Sequence, residues 1–200
     1  MKNSHYYVND PNLGSNKKEV KYTFKGVNVN LNSDMGVFSK DRIDFGSNVL
    51  LNSLDELENV KSVLDIGCGY GVLGICIAKK YPDKNITMVD VNERCISLTK
   101  ENINNNKLKN AECFISDVCK NVSSKYDMVI SNPPIRAGKV VVNRVIEEGY
   151  QCLSKGGSIW VVIQKKQGGP SLEKRMEEVF GNVETVNKEK GYFIFKSTKE

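Results

Sequence analysis

The amino-acid sequence predicts an α/β domain built on a mostly parallel sheet of seven strands. From Lys61 onward, short apolar runs alternate with helical patterns, which is typical of consecutive β-α-β units. A glycine-rich turn follows the first of these apolar runs and leads into a helical pattern. The last two predicted strands lie too close in sequence for a parallel crossover, which needs about a dozen residues, so they should pair as an antiparallel hairpin.

The segment before this alternation is predicted to form an arm, a hairpin and a helix. Residues 1–18 are polar and rich in turn-forming residues, so we expect a mobile N-terminal arm followed by a single domain over residues 19–200. Apolar and polar side chains alternate on both sides of Gly26, which predicts an N-terminal β-hairpin. The stretch from Asp41 to Leu57 has helical spacing of its apolar residues.

The alternating region supplies the sheet and its covering helices. Strands are predicted at residues 62–66, 86–90, 111–115, 126–131 and 158–163, and the hairpin strands at 183–187 and 192–196. Helices are predicted at residues 72–80, 93–104, 140–153 and 171–180. The third of these helices should end before Gly156 and Gly157, because glycine commonly terminates helices.

Length and composition indicate a soluble globular enzyme. The chain has 200 residues, of which 40% are hydrophobic and 26% charged. No apolar run approaches the roughly 20 residues that span a bilayer, and the polar start at Met1 lacks the core of a signal peptide, so we expect a cytoplasmic protein. The net charge of +5 is compatible with an anionic partner, but a Lys- and Asn-rich composition explains it equally well.

The cysteine and histidine inventory predicts neither disulfides nor a metal site. The chain has a single histidine, His5, and its cysteines form no CxxC pair. Scattered cysteines in a cytosolic protein are more often reduced packing residues than metal ligands or bridges. The residues concerned are Cys68, Cys76, Cys95, Cys113, Cys119 and Cys152.

The glycine-rich turn after the first parallel strand predicts a ligand site. Glycines allow the backbone to turn sharply and a ligand to approach closely, and ligands of open α/β sheets bind at the carboxyl ends of the strands. The turn also matches a dinucleotide fingerprint if it is taken to begin at Gly69. Asp65 argues against this reading, because its carboxylate would face a pyrophosphate, whereas it suits the ammonium of a methionine moiety. Asp90, at the end of the next strand, can accept ribose hydroxyls in either case.

These residues resemble the first motif of the class I S-adenosylmethionine-dependent methyltransferases, DxGxGxG, which implies a Rossmann-like fold and S-adenosyl-L-methionine as cofactor. In that family, adenine contacts follow the third strand, at the positions of Asp117 and Val118, although an Asp there is also a common turn or cap residue. The resemblance implies cofactor contacts from Asp65, Gly67, Cys68, Gly69, Gly71, Asp90, Val91, Asp117 and Val118.

The segment Asn132-Pro133-Pro134-Ile135 after the fourth strand is the candidate catalytic turn. A conjugated ring amine is a poor nucleophile, and the Asn132 side-chain oxygen and the Pro133 carbonyl could accept its N–H bonds and direct its lone pair at the sulfonium methyl. Asn132→Asp would keep an acceptor, so we expect it to retain more activity than Asn132→Ala. The turn resembles the NPP[Y/F] motif of amine-directed methyltransferases, in which Asn also borders the cofactor, but Ile135 stands where that family stacks an aromatic ring on its target.

Segments outside these motifs resemble the small-subunit ribosomal RNA guanine-N(2) methyltransferases over about residues 19–198. The similar segments are residues 35–39, 43–47, 50–51, 160–169 and 190–192. The resemblance implies that Phe38 covers the cofactor. The implied activity is methylation of an exocyclic ring amine in RNA. Alternatives are a protein glutamine methyltransferase acting on a release factor, which usually keeps the aromatic residue, or a non-catalytic RNA-binding or assembly module.

Four cations are candidate RNA contacts. Arg136 and Lys139 flank the catalytic turn, and Lys165 and Lys166 follow the fifth strand at the same edge of the sheet. Cations there would meet phosphates beside a target base, although lysines after a strand are often ordinary solvated residues. Together with Ile135, these four cations are the candidate substrate-binding residues. The sequence does not indicate the oligomeric state.

Overall fold

The computed structural model describes residues 14–200, so residues 1–13 of the predicted arm lie outside the described part of the chain. Residues 14–18 contact the domain: Ser15 Oγ donates to Asp34 Oδ2 at 2.8 Å, and Lys17 pairs with Glu101. The chain then enters a two-stranded antiparallel hairpin, β1 (Lys18–Phe24) and β2 (Val27–Ser33), as the alternation around Gly26 predicts.

Asparagine side chains on a helix bind the free edge of this hairpin. Asn102 and Asn106, one turn apart on α3 (Glu93–Asn105) and at its C-cap, exchange hydrogen bonds with the backbone of Asn32 and Asn30 in β2. Asn102 also donates to the carbonyl oxygen of Tyr70 at 2.9 Å. The hairpin is thereby joined to the glycine-rich turn.

The predicted seven-stranded sheet is present, with the order β5-β4-β3-β6-β7-β9-β8. All pairs are parallel except β7 with β9 and β8 with β9, which form the predicted C-terminal antiparallel arrangement. The strands are β3 (Ser62–Ile66), β4 (Asn85–Asp90), β5 (Ala111–Ile115), β6 (Tyr126–Ser131), β7 (Leu153–Gln164), β8 (Glu184–Glu189) and β9 (Tyr192–Thr198).

Helices cover both faces of the sheet, which explains why its central strands are almost wholly apolar. The remaining helices are α1 (Phe45–Ser53), α2 (Val72–Lys80), α4 (Lys139–Cys152) and α5 (Gly169–Phe180), with single 3-10 turns at Glu56–Asn59, Ile135–Ala137 and Lys165–Gln167. Along β6, Met128 and Ile130 join the core beneath α1, α2 and α3, whereas Val129 joins the core beneath α4 and α5. Side chains therefore alternate between two hydrophobic layers, and the strand ends between them form the site.

Two predicted elements differ from the structure. The predicted helix over residues 41–57 is shorter, because Asp44 caps α1 by accepting from Ser47 N and the helix ends at Ser53. The helix predicted over residues 140–153 does end before Gly156 and Gly157, at Cys152, but the strand predicted at residues 158–163 begins earlier, at Leu153, and includes both glycines. These glycines pair with the end of the chain, since Gly156 N donates to Lys199 O at 2.7 Å and Lys199 N donates to Gly157 O at 2.9 Å.

Candidate active site at the carboxyl edge of the sheet

A pocket of about 490 Å³ opens where β3, β4, β5, β6 and β7 end. It brings together two turns that are distant in sequence: a Cβ placed on Gly67 would come within 3.9 Å of Pro134 Cδ. The sequence-predicted residues that line the pocket are Phe38, Gly67, Cys68, Gly69, Asp90, Val91, Asp117, Val118, Asn132, Pro133, Pro134, Ile135 and Arg136. Those that do not line it are Asp65, Gly71, Lys139, Lys165 and Lys166.

The glycine turn presents bare backbone to the pocket. Gly67, Gly69 and Gly71 all have positive φ angles of 72°, 59° and 90°, a region that other residues adopt only with strain. A Cβ on Gly69 would meet no atom within 4 Å, so the backbone borders open space, whereas a Cβ on Gly71 would lie 2.7 Å from Ile75 Cδ1. The first two glycines thus suit close approach of a ligand, and Gly71 is required for packing at the start of α2.

Asp65 lies behind the turn instead of on the pocket wall. Its side chain is fully buried, and Oδ2 accepts a hydrogen bond from Gly74 N at 3.1 Å. Its Oδ1 is buried and has no hydrogen-bond partner among the described residues. Burial raises the pKa of Asp65 to about 7, with a further contribution from the negative charge of Asp90. The structure therefore places Asp65 beside the turn but not on the pocket wall, and its contact with the ammonium of a methionine moiety stays a prediction.

Asp90 is held rigidly in the pocket wall. Its Oδ2 accepts from Gly69 N and its Oδ1 from Asn92 N, both at 2.9 Å, while Asn92 caps α3. Burial raises the pKa of Asp90, and the backbone hydrogen bonds partly offset this shift. Each carboxylate oxygen has a second lone pair, so a ribose diol could donate to an acceptor whose orientation is already set.

The loop after β5 reaches the pocket as predicted, but its acid is already paired. Asp117 accepts hydrogen bonds from Arg144 at 3.0 and 3.1 Å. Val118 adopts a positive φ of 53° and is buried against the apolar layer. Asp117 therefore borders the pocket, and its ion pair with Arg144 ties the loop to α4.

The amide of Asn132 is oriented by two residues of the segment at the start of α1. Its Nδ2 donates to Asp44 Oδ2 at 3.0 Å and to Ser47 Oγ at 2.9 Å. Both N–H bonds are used, so Oδ1 is the remaining polar atom, and it accepts no hydrogen bond from any described residue. The Pro133 carbonyl likewise has no described donor. The two acceptors predicted from the sequence are thus available at the pocket.

The contacts of Asn132 argue against one expectation from the sequence. Asn132→Asp was expected to retain more activity than Asn132→Ala because it keeps an acceptor. In the structure, however, the group replaced would be the Nδ2 donor 3.0 Å from the Asp44 carboxylate, so a second carboxylate would be repelled there. The acceptor alone is not sufficient, since the donor half of the amide holds the side chain in place.

Asp44 and Ser47 were not identified as site residues from the sequence. The local signal was an Asp three residues before a Ser at a helix start, which indicates only an N-cap. Their contacts with Asn132 span 88 and 85 residues, a separation that no local pattern reveals.

Tyr192 and Gln164 are further pocket residues that the site prediction missed. Gln164 Nε2 donates to Tyr192 Oη at 2.6 Å. The tyrosine ring lies over Gly46, where a Cβ would be 2.8 Å from Tyr192 Cε1 and 2.9 Å from Asp44 Oδ2. It also packs at a tilt against Phe45, with 5.4 Å between ring centroids. An aromatic residue therefore borders the pocket even though Ile135 occupies the usual aromatic position.

The predicted cations differ in their position relative to the pocket. Arg136 lines it, whereas Lys139, Lys165 and Lys166 are exposed beyond its wall. Lys165 N donates to Gly191 O at 2.8 Å, which places the β8–β9 turn next to this lysine segment.

Over residues 14–200, no group of three or more His, Cys, Asp or Glu side chains is arranged to bind a metal ion. All six cysteines are free, and every one except Cys113 is buried. None of the helices described is both long and apolar enough to cross a membrane.

Residues 28–196 match the family model described as the methyltransferase small domain. The chain is 43% identical over 197 residues to the uncharacterized protein YbxB of Bacillus subtilis, and the match covers 98% of each chain. It is 32% identical over 177 residues to the ribosomal RNA small subunit methyltransferase C of Photorhabdus laumondii, which covers 86% of this chain and 51% of that protein. The chain spans about half the length of such ribosomal RNA methyltransferases.

A solved structure is similar over nearly the whole chain. It is that of the Thermus thermophilus 16S rRNA N2 G1207 methyltransferase in complex with AdoMet and guanosine, with a TM-score of 0.83 and 26% identity. The similarity covers 95% of this chain and 52% of that one. With the glycine turn and pocket described above, the family match shows that this chain belongs to the methyltransferase small domain family and is a class I S-adenosyl-L-methionine-dependent methyltransferase with a Rossmann-like fold.

Proposed function

We propose that this protein methylates the exocyclic N2 amine of a guanine in ribosomal RNA, most specifically that of the small subunit. The observation that carries the proposal is the orientation of Asn132. Its two N–H bonds are taken by Asp44 and Ser47, so its oxygen is left as an acceptor beside the pocket. The Pro133 carbonyl supplies a second acceptor in the same turn.

Two fixed acceptors suit a conjugated amine. They bind its two N–H bonds and set its lone pair toward the transferring carbon, and they offset the positive charge that develops on nitrogen. Bound S-adenosylmethionine supplies an electrophilic methyl group. Asn132 and Pro133 would hold the amine with its lone pair toward that methyl group, and the proton that the amine loses would pass to water. The residues of the turn need only bind and orient the amine.

The cofactor half of the pocket lies over β3, β4 and β5. Gly67 and Gly69 would allow the methionine moiety to approach the backbone, Asp90 would accept the ribose hydroxyls, and Asp117 and Val118 would border the adenine. Cys68 and Val91 complete the wall between these groups. Phe38 is 43% exposed and lines the opening, a position from which it could cover a bound cofactor.

Exposed cations close in sequence to pocket-lining residues could contact phosphates. Arg136, Lys139, Lys165 and Lys166 are exposed and form no ion pair with another described residue. The structure adds the exposed lysines of the β8–β9 turn, Lys188 and Lys190, near the same edge. Cations around a base pocket position the phosphate backbone without reading sequence. The names of the relatives support ribosomal RNA as the substrate, and the Thermus enzyme is described as bound to guanosine.

The proposal is tested by mass mapping of modified nucleotides in ribosomal RNA from cells with and without the protein. A single guanine should lose one methyl group when the protein is absent. In vitro, transfer of labelled methyl to that RNA or its subunit should fall about 10²–10³-fold in Asn132→Ala, as it does elsewhere when one preorganised polar group is removed. Asn104→Ala, an exposed change on α3, is the matched control.

Cofactor binding should persist in Asn132→Ala, which separates lost chemistry from lost folding. Identical modification maps with and without the protein, together with no transfer to any ribosomal RNA, would refute the proposal. Undiminished transfer by Asn132→Ala would remove the residue from the mechanism.

A further inference from the structure

Gln164 and Tyr192 form a hydrogen-bonded pair in the half of the pocket away from the cofactor. The strand order places β5, β4 and β3 on one side of β6, and β7 and β9 on the other. Asn132 follows β6 and lies at the boundary, while Gln164 ends β7 opposite Tyr192, the first residue of β9. A base whose amine meets Asn132 would therefore extend toward these two side chains.

The pair is held in position by packing. The ring of Tyr192 lies against the bare backbone of Gly46 and the ring of Phe45. Gly46 separates this ring from the Asp44 carboxylate that orients Asn132. The amine acceptor and the Tyr192 hydroxyl are thus fixed by the same short segment of chain, which favours a defined distance between them.

The hydrogen bond between the two side chains determines what each presents to the pocket. Gln164 Nε2 donates to Tyr192 Oη, so the hydroxyl acts as an acceptor in this bond and its own proton is free to donate elsewhere. The other amide atom, Gln164 Oε1, accepts no hydrogen bond within residues 14–200. Beside the Asn132 acceptor, the pocket therefore offers one further acceptor and one donor.

This pattern complements one nucleobase. In guanine, the N2 amine is followed along the Watson–Crick edge by the N1–H donor and the O6 acceptor. In adenine, cytosine and a glutamine amide, the atom next to the amine-bearing carbon on this edge is an acceptor with no hydrogen, which Gln164 Oε1 would repel. Gln164 and Tyr192 are half-buried, and polar groups that a bound ligand would shield from water discriminate against a ligand that leaves them unpaired.

We propose that Gln164 and Tyr192 form a recognition subsite for guanine, with Gln164 Oε1 accepting from N1–H and Tyr192 Oη donating to O6. This inference rests on the proposed function, because it assumes that the amine bound at Asn132 is N2 of guanine. It assigns base selection to residues outside the Asn-Pro-Pro turn.

The test measures binding of free nucleosides to protein saturated with S-adenosylhomocysteine, by NMR titration. The probes are guanosine and 2-aminopurine riboside, which carries the same N2 amine but lacks N1–H and O6. The wild type should prefer guanosine by about tenfold or more. Gln164→Met should lower guanosine affinity by about tenfold and should not weaken 2-aminopurine riboside, whose bare N1 the lost Oε1 would have repelled, so that the preference is lost. Tyr192→Phe keeps the ring and should reduce the preference in the same direction.

Gln164→Glu and Gln151→Met are the controls. Gln164→Glu keeps an acceptor for N1–H and should retain more guanosine affinity than Gln164→Met. Gln151→Met repeats the substitution at an exposed position on α4 and should behave as the wild type. Thermal unfolding establishes that each variant is folded.

The outcomes separate this inference from the proposed function. Equal binding of the two nucleosides by the wild type, or an unchanged preference in Gln164→Met, overturns the subsite. Selective guanosine binding that Gln164→Met abolishes supports it even if no ribosomal RNA is methylated, in which case only the proposed function fails.

Discussion

The contact between Asn132 and Asp44 makes a quantitative prediction for Asn132→Asp. The new carboxylate would place an oxygen where Nδ2 now lies 3.0 Å from Asp44 Oδ2. Two unit charges at that distance repel by about 5 kcal/mol at an effective dielectric constant near 20. Because the site is half-buried and the side chains can rotate, we expect roughly 2–3 kcal/mol of lost stability at pH 8. Methyl transfer should fall at least as far as in Asn132→Ala.

The repulsion should be relieved by a proton or by a second substitution. On acidification toward pH 5, the paired carboxyls would share one proton, so stability should recover. Asp44→Asn keeps a good N-cap and an acceptor for Asn132, and we expect it alone to have a mild effect. Combined with Asn132→Asp, it restores a donor–acceptor pair with the partners exchanged, and transfer should partly return.

The assay is a double-mutant cycle on unfolding free energy and on methyl transfer, each at pH 8 and near pH 5. The coupling between the two substitutions should have the same sign in both measurements and shrink at the lower pH. This prediction is wrong if Asn132→Asp has wild-type stability at pH 8 and Asp44→Asn does not restore its methyl transfer. Asp44 would then not orient the Asn132 amide.

Three further predictions follow from the same site. The pKa of Asp65 is about 7 in the fold, against an ordinary value of 3.8 for an aspartate side chain, so the folded chain keeps a proton that the unfolded chain loses. Stability should therefore fall as pH rises from about 4 to about 7 and stay low above it. Asp65→Asn should remove this pH dependence, which amounts to about 4 kcal/mol of unfolding free energy at pH 8. If chemical denaturation gives parallel curves of stability against pH for the wild type and Asp65→Asn, the prediction is wrong. Asp90→Ala should weaken S-adenosylmethionine binding by about 1.5–3 kcal/mol in calorimetry, the value of hydrogen bonds to a charged group; unchanged affinity would exclude a ribose contact. Changing Arg136 and Lys139 to Ala should reduce the salt dependence of RNA binding by about two charges and leave cofactor affinity intact. If the slope of RNA affinity against salt concentration is unaltered, both residues are ordinary surface charges that do not contact RNA.

The pattern of apolar and turn-forming residues was sufficient to predict those elements whose structure depends on neighbouring residues. The glycine turn, the strand that precedes it and the C-terminal hairpin could be predicted because periodicity and turn chemistry act over a few residues. Prediction was less accurate where a tertiary contact replaced a local signal. Helix α4 ends before Gly156 and Gly157 as predicted, yet backbone pairing with Lys199 extends β7 through these glycines, so the strand is longer than the predicted 158–163. A pattern read over a few neighbouring residues does not indicate a pairing partner at the end of the chain.

Residue pattern alone was sufficient to predict the α/β class, the glycine turn and the position of Asn132 at a strand end. Parallel strands place their carboxyl ends at one edge, so these residues had to converge there. The surroundings of each side chain depend on tertiary contacts: Asp65 is buried behind the turn, and Asp44 accepts a hydrogen bond from the Asn132 amide. Tyr192 enters the site because Gly46 leaves room for its ring. The contacts of Asn132 join segments 85 or more residues apart, and their energies depend on burial and orientation, which no short-range pattern encodes.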